Sequence, residues 1–166
     1  MERKRLLILG AGGHGKVVGE IARACGFTEV KYLDDNSEMA LGKIADLALY
    51  RNQFTYIALG IGNNEVRQKL YEEAIKLGYS LPILIHPSAY VSSSAVVLEG
   101  SVIEPKACVN ANSNVGKGCI ISIGAIVDHD VIIGDYVHIN AGAIAKAGSH
   151  IDALAKIDAG QVVSGF

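Results

Sequence analysis

Ile103-Glu-Pro-Lys-Ala-Cys-Val109-Asn-Ala-Asn-Ser-Asn-Val115-Gly-Lys-Gly-Cys-Ile-Ile121-Ser-Ile-Gly-Ala-Ile-Val127 carries an aliphatic residue at every sixth position, and that spacing decides the fold. The register continues in both directions without an insertion. It takes in Ile85, Val91 and Val97 before this stretch and Ile133, Ile139, Ala145, Ile151, Ile157 and Val163 after it. Thirteen of the fourteen positions are Ile or Val, Ala145 being the one weak step. Two residues ahead of each position, ten of the thirteen residues from Ala89 to Gln161 are Ala, Ser or Cys. A period of six fits neither a helix at 3.6 nor a two-faced strand at 2.0. It fits a three-sided prism with one hexad per side, the aliphatic residue pointing in and the small residue near the corner: a hexapeptide parallel β-helix. Three hexads make one turn, so the stretch from Ile85 onward predicts four to five turns.

Such a coil contacts only its neighbours along the axis. Its flat sides need cover, and between Val109 and Val127 only Lys117 carries a charge. Side-to-side assembly follows, with three-fold symmetry natural for a three-sided object.

The remainder of the chain reads differently. Arg5 to Leu9 is a short apolar run ending in Gly10-Ala-Gly-Gly-His-Gly15, and Val17 to Cys25 carries apolar residues at helical spacing up to Gly26. A second strand is expected over Glu29 to Leu33, running into Asp34-Asp35, and a third over Thr55 to Leu59 before Gly60-Ile-Gly-Asn-Asn64. Asn64 is placed as the N-cap of a helix over Glu65 to Leu77, and Leu81 to Ile85 as a fourth strand. This is a Rossmann-like α/β domain over residues 1–83, followed by the all-β domain over 84–166. Gly10, Gly12 and Gly15 match G-x-G-x-x-G, with Asp34 about twenty residues on. Glycines let backbone approach an anion, and a helix N-terminus presents free N–H groups to phosphate. The motif points to a nucleotide diphosphate without choosing NAD over a nucleotide sugar. Asp34 and Asp35 are placed to accept hydrogen bonds from a ribose or base, and His14 to donate to a phosphate or sugar hydroxyl.

Half the residues are hydrophobic and 19% are charged, as in a folded globular chain. A net charge of −2 without an extended basic cluster argues against nucleic acid as partner. No apolar run suffices to cross a bilayer, and Met1-Glu-Arg-Lys-Arg5 does not read as a signal peptide. Cys25, Cys108 and Cys119 show no C-x-x-C pattern and read as reduced thiols of a cytoplasmic protein.

Of five histidines, His129 in Val127-Asp-His-Asp130 is the informative one. A carboxylate beside an imidazole raises its basicity and fixes its tautomer, which prepares a general base. His138, nine residues on, is expected half a coil around and near the same edge. A metal held by histidines between subunits has only His129, His138 and His150 to draw on. Their spacing matches no ligand pair, so no metal is expected.

Gly10-Ala-Gly-Gly-His-Gly15, Leu33-Asp-Asp35, Ala58-Leu-Gly-Ile-Gly-Asn-Asn-Glu65, Ile85-His-Pro-Ser-Ala89 and Val127-Asp-His-Asp-Val131, in this order, closely resemble the bacterial sugar acetyltransferases of the PglD and NeuD type. The resemblance implies a left-handed β-helix, a homotrimer, an N-terminal domain that binds a UDP-amino-sugar, and acetyl-CoA bound between neighbouring subunits. It assigns Gly12, Gly13, His14, Asp34, Asp35 and Gly60 to the UDP-sugar, and His129 to the general base with Asp130 in place of the family's usual acid, often Glu. His138 and Ala159 would line the acetyl-CoA site. The implied reaction is N-acetylation of a UDP-4-amino-4,6-dideoxy-N-acetylglucosamine type of sugar, His129 removing the amine proton and backbone N–H groups holding the oxyanion. O-acetylation of a sugar such as sialic acid is a close variant. A non-catalytic nucleotide-binding trimer is the alternative of a different class. Family members usually continue for another coil that completes the coenzyme A pocket, so acetyl-CoA is expected to bind less securely here than the nucleotide sugar.

Overall fold

The computed structural model describes residues 4–165. They form two compact units, one ending at Leu84 and the other beginning at Ile85.

In the first unit β1 (Arg5–Leu9) is the middle strand of a three-stranded parallel sheet, flanked by β2 (Glu29–Leu33) and β3 (Tyr56–Leu59). Leu6 to Leu9 are all fully buried, the pattern of a central parallel strand covered on both faces. α1 (Gly13–Ala24) follows β1 and buries Val18, Ile21 and Ala22, while α2 (Asn64–Lys76) follows β3. A 3₁₀ helix, Ile44–Tyr50, occupies part of the irregular stretch after β2 and buries Leu47.

Three expectations are corrected. Leu81 to Ile85 adds no fourth strand to this sheet: a single bridge joins Ser80 to Tyr56, and Leu84–Ile85 pairs within the coil instead. Pro82 has no N–H to give a ladder, which ends the pairing after one bridge. α1 begins at Gly13, four residues before Val17, because its polar first turn carries no apolar signal. The N-cap of α2 is Asn63, whose side chain accepts from the Val66 N–H at 3.0 Å.

The second unit is the coil. Fourteen two-residue strands, from Leu84–Ile85 to Val162–Val163, form three parallel sheets of five, five and four strands. Each strand pairs with the one three hexads away, as in Ile120 with His138, Ile126 with Ile144 and Ile132 with His150. The second residue of each strand points inward, and Ile103, Val109, Val115, Ile121, Val127, Ile133, Ile139, Ala145 and Ile151 form one buried column. The small-residue positions share that core through Ala107, Cys119, Ala125 and Ala143.

Two serines at these positions tie coil to coil. Ser101 Oγ donates to the Gly116 carbonyl at 2.8 Å and accepts from the Cys119 N–H at 3.0 Å. Ser113 does the same between the Asp128 carbonyl and the Val131 N–H. From Gly100 onward the third residue of every corner has positive φ. Glycine supplies it at Gly124 and Gly142, while Asn112 and Asp130, both at φ 58°, belong to the residue types that tolerate this region best. Among the described residues no helix is long and apolar enough to cross a membrane. Cys119 is packed in the coil core, where its Sγ donates to the Gly134 carbonyl at 3.2 Å.

Because Ile121 is fully buried in the column, Ile121→Ala should cost about 2–5 kcal/mol of coil stability, read as a lower denaturant midpoint. A midpoint within error of wild type would contradict the packed column.

Candidate active site

Corners stack at intervals of three hexads, and one stack carries most of the polar chemistry of the coil. Its third layer is Asp128-His129-Asp130, between the strands Ile126–Val127 and Ile132–Ile133. The preceding layer is Asn110-Ala-Asn112, and the one before that Ser92-Ser-Ser94. The Asp130 N–H donates to the Ala111 carbonyl at 2.9 Å, and the His129 carbonyl accepts from the Gly148 N–H at 3.1 Å. The backbone under the imidazole is therefore pinned from both neighbouring coils.

His129 Nδ1 lies 2.7 Å from Asp130 Oδ2. An ionised carboxylate only accepts, so Nδ1 carries a proton, and in the neutral ring Nε2 is the nitrogen that keeps the lone pair. Half of the imidazole side chain is exposed, so Nε2 is reachable. The bond to Asp130 raises the His129 pKa above the ordinary histidine value; desolvation opposes this, and the charges of Asp128 and Asp130 reinforce it. Asp128 is not a second partner of the ring. Its Oδ1 accepts the His129 backbone N–H at 2.8 Å and the Asn110 amide at 3.2 Å, and those bonds hold its own pKa down. Asp130 is likewise lowered, first by His129 and then by the Asn112 amide.

His138 is not near that edge. It lies on the strand His138–Ile139, on the side of the prism opposite the His129 corner, and its Nε2 is 3.0 Å from Ser122 Oγ. A hexad and a half is half of a three-hexad turn, so a closed coil places the two on opposite sides. Ala159 is an exposed corner residue in Asp158-Ala-Gly160. Among the described residues no group of three or more His, Cys, Asp or Glu could hold a metal ion.

The first unit offers a second constellation. Gly12 is the N-cap of α1, where it brings no side chain to the first N–H groups, and the first turn carries no acid. His14 sits half-buried in that turn. Asp34 is tied to the same loop: Oδ2 accepts the Ala11 N–H at 2.7 Å and Oδ1 the Asn36 N–H at 2.9 Å, which lowers its pKa. Asp35 is exposed and accepts from the Ile44 N–H at 3.1 Å.

Residues 5–74 match the family model of the PglD N-terminal domain. The acetyltransferase domain of PglB from Neisseria gonorrhoeae FA1090 superposes with a TM-score of 0.87 at 35% identity, over 98% of this chain and 92% of that one. The chain belongs to the PglD-type sugar acetyltransferases. The UDP-N-acetylbacillosamine N-acetyltransferase of Bacillus subtilis (strain 168) is 38% identical over 112 residues, which take in 60% of this chain and 51% of that protein. This chain thus aligns with about half the length of that curated relative. PerB from Caulobacter crescentus, solved with CoA and GDP-perosamine, is 34% identical with a TM-score of 0.83, over 96% and 88% of the two chains. The coil shares the left-handed β-helix of these structures.

In this PglD-type chain the glycines of the first unit fall into two sets. A Cβ on Gly15 would lie 2.1 Å from the Gly10 carbonyl oxygen, and one on Gly60 would lie 2.6 Å from that same oxygen. These two glycines are required by the close crossing of three backbone segments. A Cβ on Gly12, Gly13 or Gly62 would meet nothing within 4 Å, so packing does not explain why these are glycines. The family resemblance grouped Gly60 with Gly12 and Gly13, and the fold adds a packing requirement at Gly60 that the other two lack. Sequence reasoning passed over Arg67, whose fully buried guanidinium donates to the Ile61 and Gly62 carbonyls at 3.1 and 3.2 Å and to Asn64 Oδ1 at 2.8 Å. An arginine in a helical first turn gives no sequence signal of its own, and only the fold shows that it shapes the Gly60–Asn64 loop.

Gly15→Ala should therefore lower stability by about 1–3 kcal/mol, whereas Gly13→Ala, inside the helix with nothing near its Cβ, should leave the melting temperature within a degree or so of wild type. Equal losses from the two substitutions would remove the distinction.

Proposed function

We propose that this chain transfers an acetyl group from acetyl-CoA to the primary amine of a nucleotide-linked amino sugar, with His129 as general base. The observation that carries the reading is the 2.7 Å pairing of His129 Nδ1 with Asp130, which makes Nε2 the basic nitrogen of the neutral ring on an accessible corner. The relatives support the reaction class, since the Bacillus subtilis protein is named for the N-acetylation of a UDP-sugar and the PglB domain was solved with acetyl-CoA. Variants of the Caulobacter crescentus enzyme in which one histidine is replaced by Asn or Ala were solved with CoA and GDP-perosamine bound.

On this reading the N-terminus of α1, with Gly12 and Gly13 open to close approach, receives the diphosphate. His14, Asp35 and the Gly60–Asn64 loop surround it. Asp34 acts chiefly by fixing the loop, since each of its oxygens is engaged by a backbone N–H. Acetyl-CoA supplies a thioester carbonyl activated for attack. His129 Nε2 takes the proton from the amine as its nitrogen bonds to that carbon, and returns it to the departing thiolate as the C–S bond breaks. Asp130 holds the ring in the tautomer that makes this possible and stabilises the imidazolium while the proton is on Nε2.

A homotrimer belongs to the same proposal. His129 and His138 lie half a turn apart in one coil, so a coenzyme that meets both must lie between two copies. The strands flanking the His129 corner present Ile126 and Ile132 outward, 41% and 49% exposed, which suits packing of copy against copy.

A UDP-linked 4-amino sugar is the expected acceptor; GDP-perosamine is the second to try, because the Caulobacter crescentus relative binds it. In a thiol-release assay His129→Ala should lose about 10²–10⁴ of kcat with little change in KM for either substrate. Near-wild-type turnover would remove His129 from the role.

The base acts as neutral imidazole, so activity falls as pH drops below its raised pKa. Asp130→Asn withdraws the main cause of that rise and should move the acid limb of the rate profile to lower pH, with a lower plateau. Titration of the sugar amine is common to both proteins and cancels in the comparison. A limb that does not move would disconnect Asp130 from the base.

A further inference from the structure

The two acids flanking His129 are each held by an asparagine one coil earlier. Asn112 Nδ2 donates to Asp130 Oδ1 at 3.3 Å, and Asn110 Nδ2 donates to Asp128 Oδ1 at 3.2 Å. The spacing is three hexads in both cases, Asn-x-Asn at 110–112 stacked against Asp-x-Asp at 128–130. The column continues below, where the Asn112 N–H donates to Ser94 Oγ at 3.1 Å and Ser92 Oγ lies 3.2 Å from Ser94 Oγ. We infer that Asn112 is a positioning residue for acetyl transfer: through Asp130 it fixes the tautomer and direction of the His129 ring, while Asn110 holds the Asp128 that pins the His129 backbone N–H. The inference rests on the reading of His129 as the base.

The chemistry of the contacts sets the direction of the effect. Asp130 has two oxygens and one ring partner, which bonds Oδ2 at 2.7 Å. A free carboxylate on an exposed corner rotates about its side-chain bonds and exchanges that partner for water. The Asn112 amide on Oδ1 removes the freedom by engaging the second oxygen, so Oδ2 stays aimed at Nδ1. Asp130 itself has φ 58°, so its Cβ leaves the backbone in a direction fixed by the corner, and Asn112 repeats that conformation at φ 58° one coil earlier. Two residues in the same uncommon backbone conformation are thereby stacked one full turn apart, and their side chains meet at the Asn112–Asp130 contact. Asn112 touches none of the reacting atoms and acts only through Asp130.

Two substitutions delete the contact without disturbing the corner. Asn112→Gly keeps a residue at ease with positive φ and removes the amide. Asn112→Asp keeps the shape, tolerates the same φ, and turns an oxygen instead of an N–H toward Asp130. The probe is the ¹⁵N resonances of His129 in the full chain, which report the tautomer without any substrate, combined with kcat and KM from the thiol-release assay. Wild type should show the Nδ1-protonated form. Asn112→Gly should shift the population toward the Nε2-protonated form that a free histidine side chain prefers and lower kcat about three- to tenfold, with both KM values unchanged. Asn112→Asp should lower kcat further, since it sets two carboxylates against each other. An unchanged tautomer in variants that melt with wild type overturns the inference, as does a loss confined to KM. If His129→Ala keeps its turnover, the reading of the base fails, and the tautomer measurement still decides whether Asn112 positions the ring.

Discussion

In the coil every residue lies against the residue three hexads away, because parallel strands of adjacent turns pair in register, as Ile120 does with His138 and Val102. The inward column of Ile and Val fixes this register: a slip by one residue would turn the aliphatic side chains outward. Once the register is fixed, corners stack on corners. A side chain at a corner then meets the equivalent side chains of the turns before and after it, whatever their separation in sequence. Ser113 is placed by this rule to accept the Val131 N–H, and the Asn amides to reach the two acids. The polar column at His129 is a product of hydrophobic packing on the other side of the backbone.

The first unit solves a different problem by a related device. Its loop after β1 must approach β3 and α1 closely, which glycine at positions 15 and 60 permits. Asp34 then ties the loop to the end of β2 by accepting backbone N–H groups at Ala11 and Asn36. Asp128 in the coil also spends an oxygen on a backbone N–H, that of His129. In both places a carboxylate fixes backbone beside an exposed polar side chain: Asp34 beside Asp35, which itself accepts the Ile44 N–H, and Asp128 beside His129.

Much of this was legible in the sequence. The six-residue register named the coil, its inward residues and its turn length, since a period imposed on every turn leaves a mark that no single residue could. The Asp-His-Asp triplet was legible because carboxylate and imidazole were adjacent in the chain. Elements that depend on contacts distant in sequence were not. Apolar spacing missed the polar first turn of α1, and the run up to Ile85 concealed the break at Pro82. Arg67 was invisible because its burial follows from how the Gly60–Asn64 loop folds back on α2. Asn110 and Asn112 could have been found by writing the sequence in rows of three hexads. His138 was placed near the wrong edge because half a turn of a closed prism leads to the opposite side.

A single coil leaves the proposed base in an awkward state. Half of the His129 side chain faces solvent, where water competes for Nε2 and weakens every electrostatic interaction around it. Amine attack on a thioester gains from a dry, oriented pair of reactants, and one chain's corner cannot enclose them. The outward residues beside that corner, Ile126 and Ile132, are aliphatic where a solvated face would carry charge. Tyr90 and Val162 extend the first of these rows, whereas the second alternates Val96 and Ile132 with the exposed polar Asn114 and His150. A second copy covering one of these sides would bury that row and wall off the corner in the same step. In the proposed trimer the apolar Ile126 row that favours assembly therefore borders the base, so that association and the drying of the proposed reaction site would be one event.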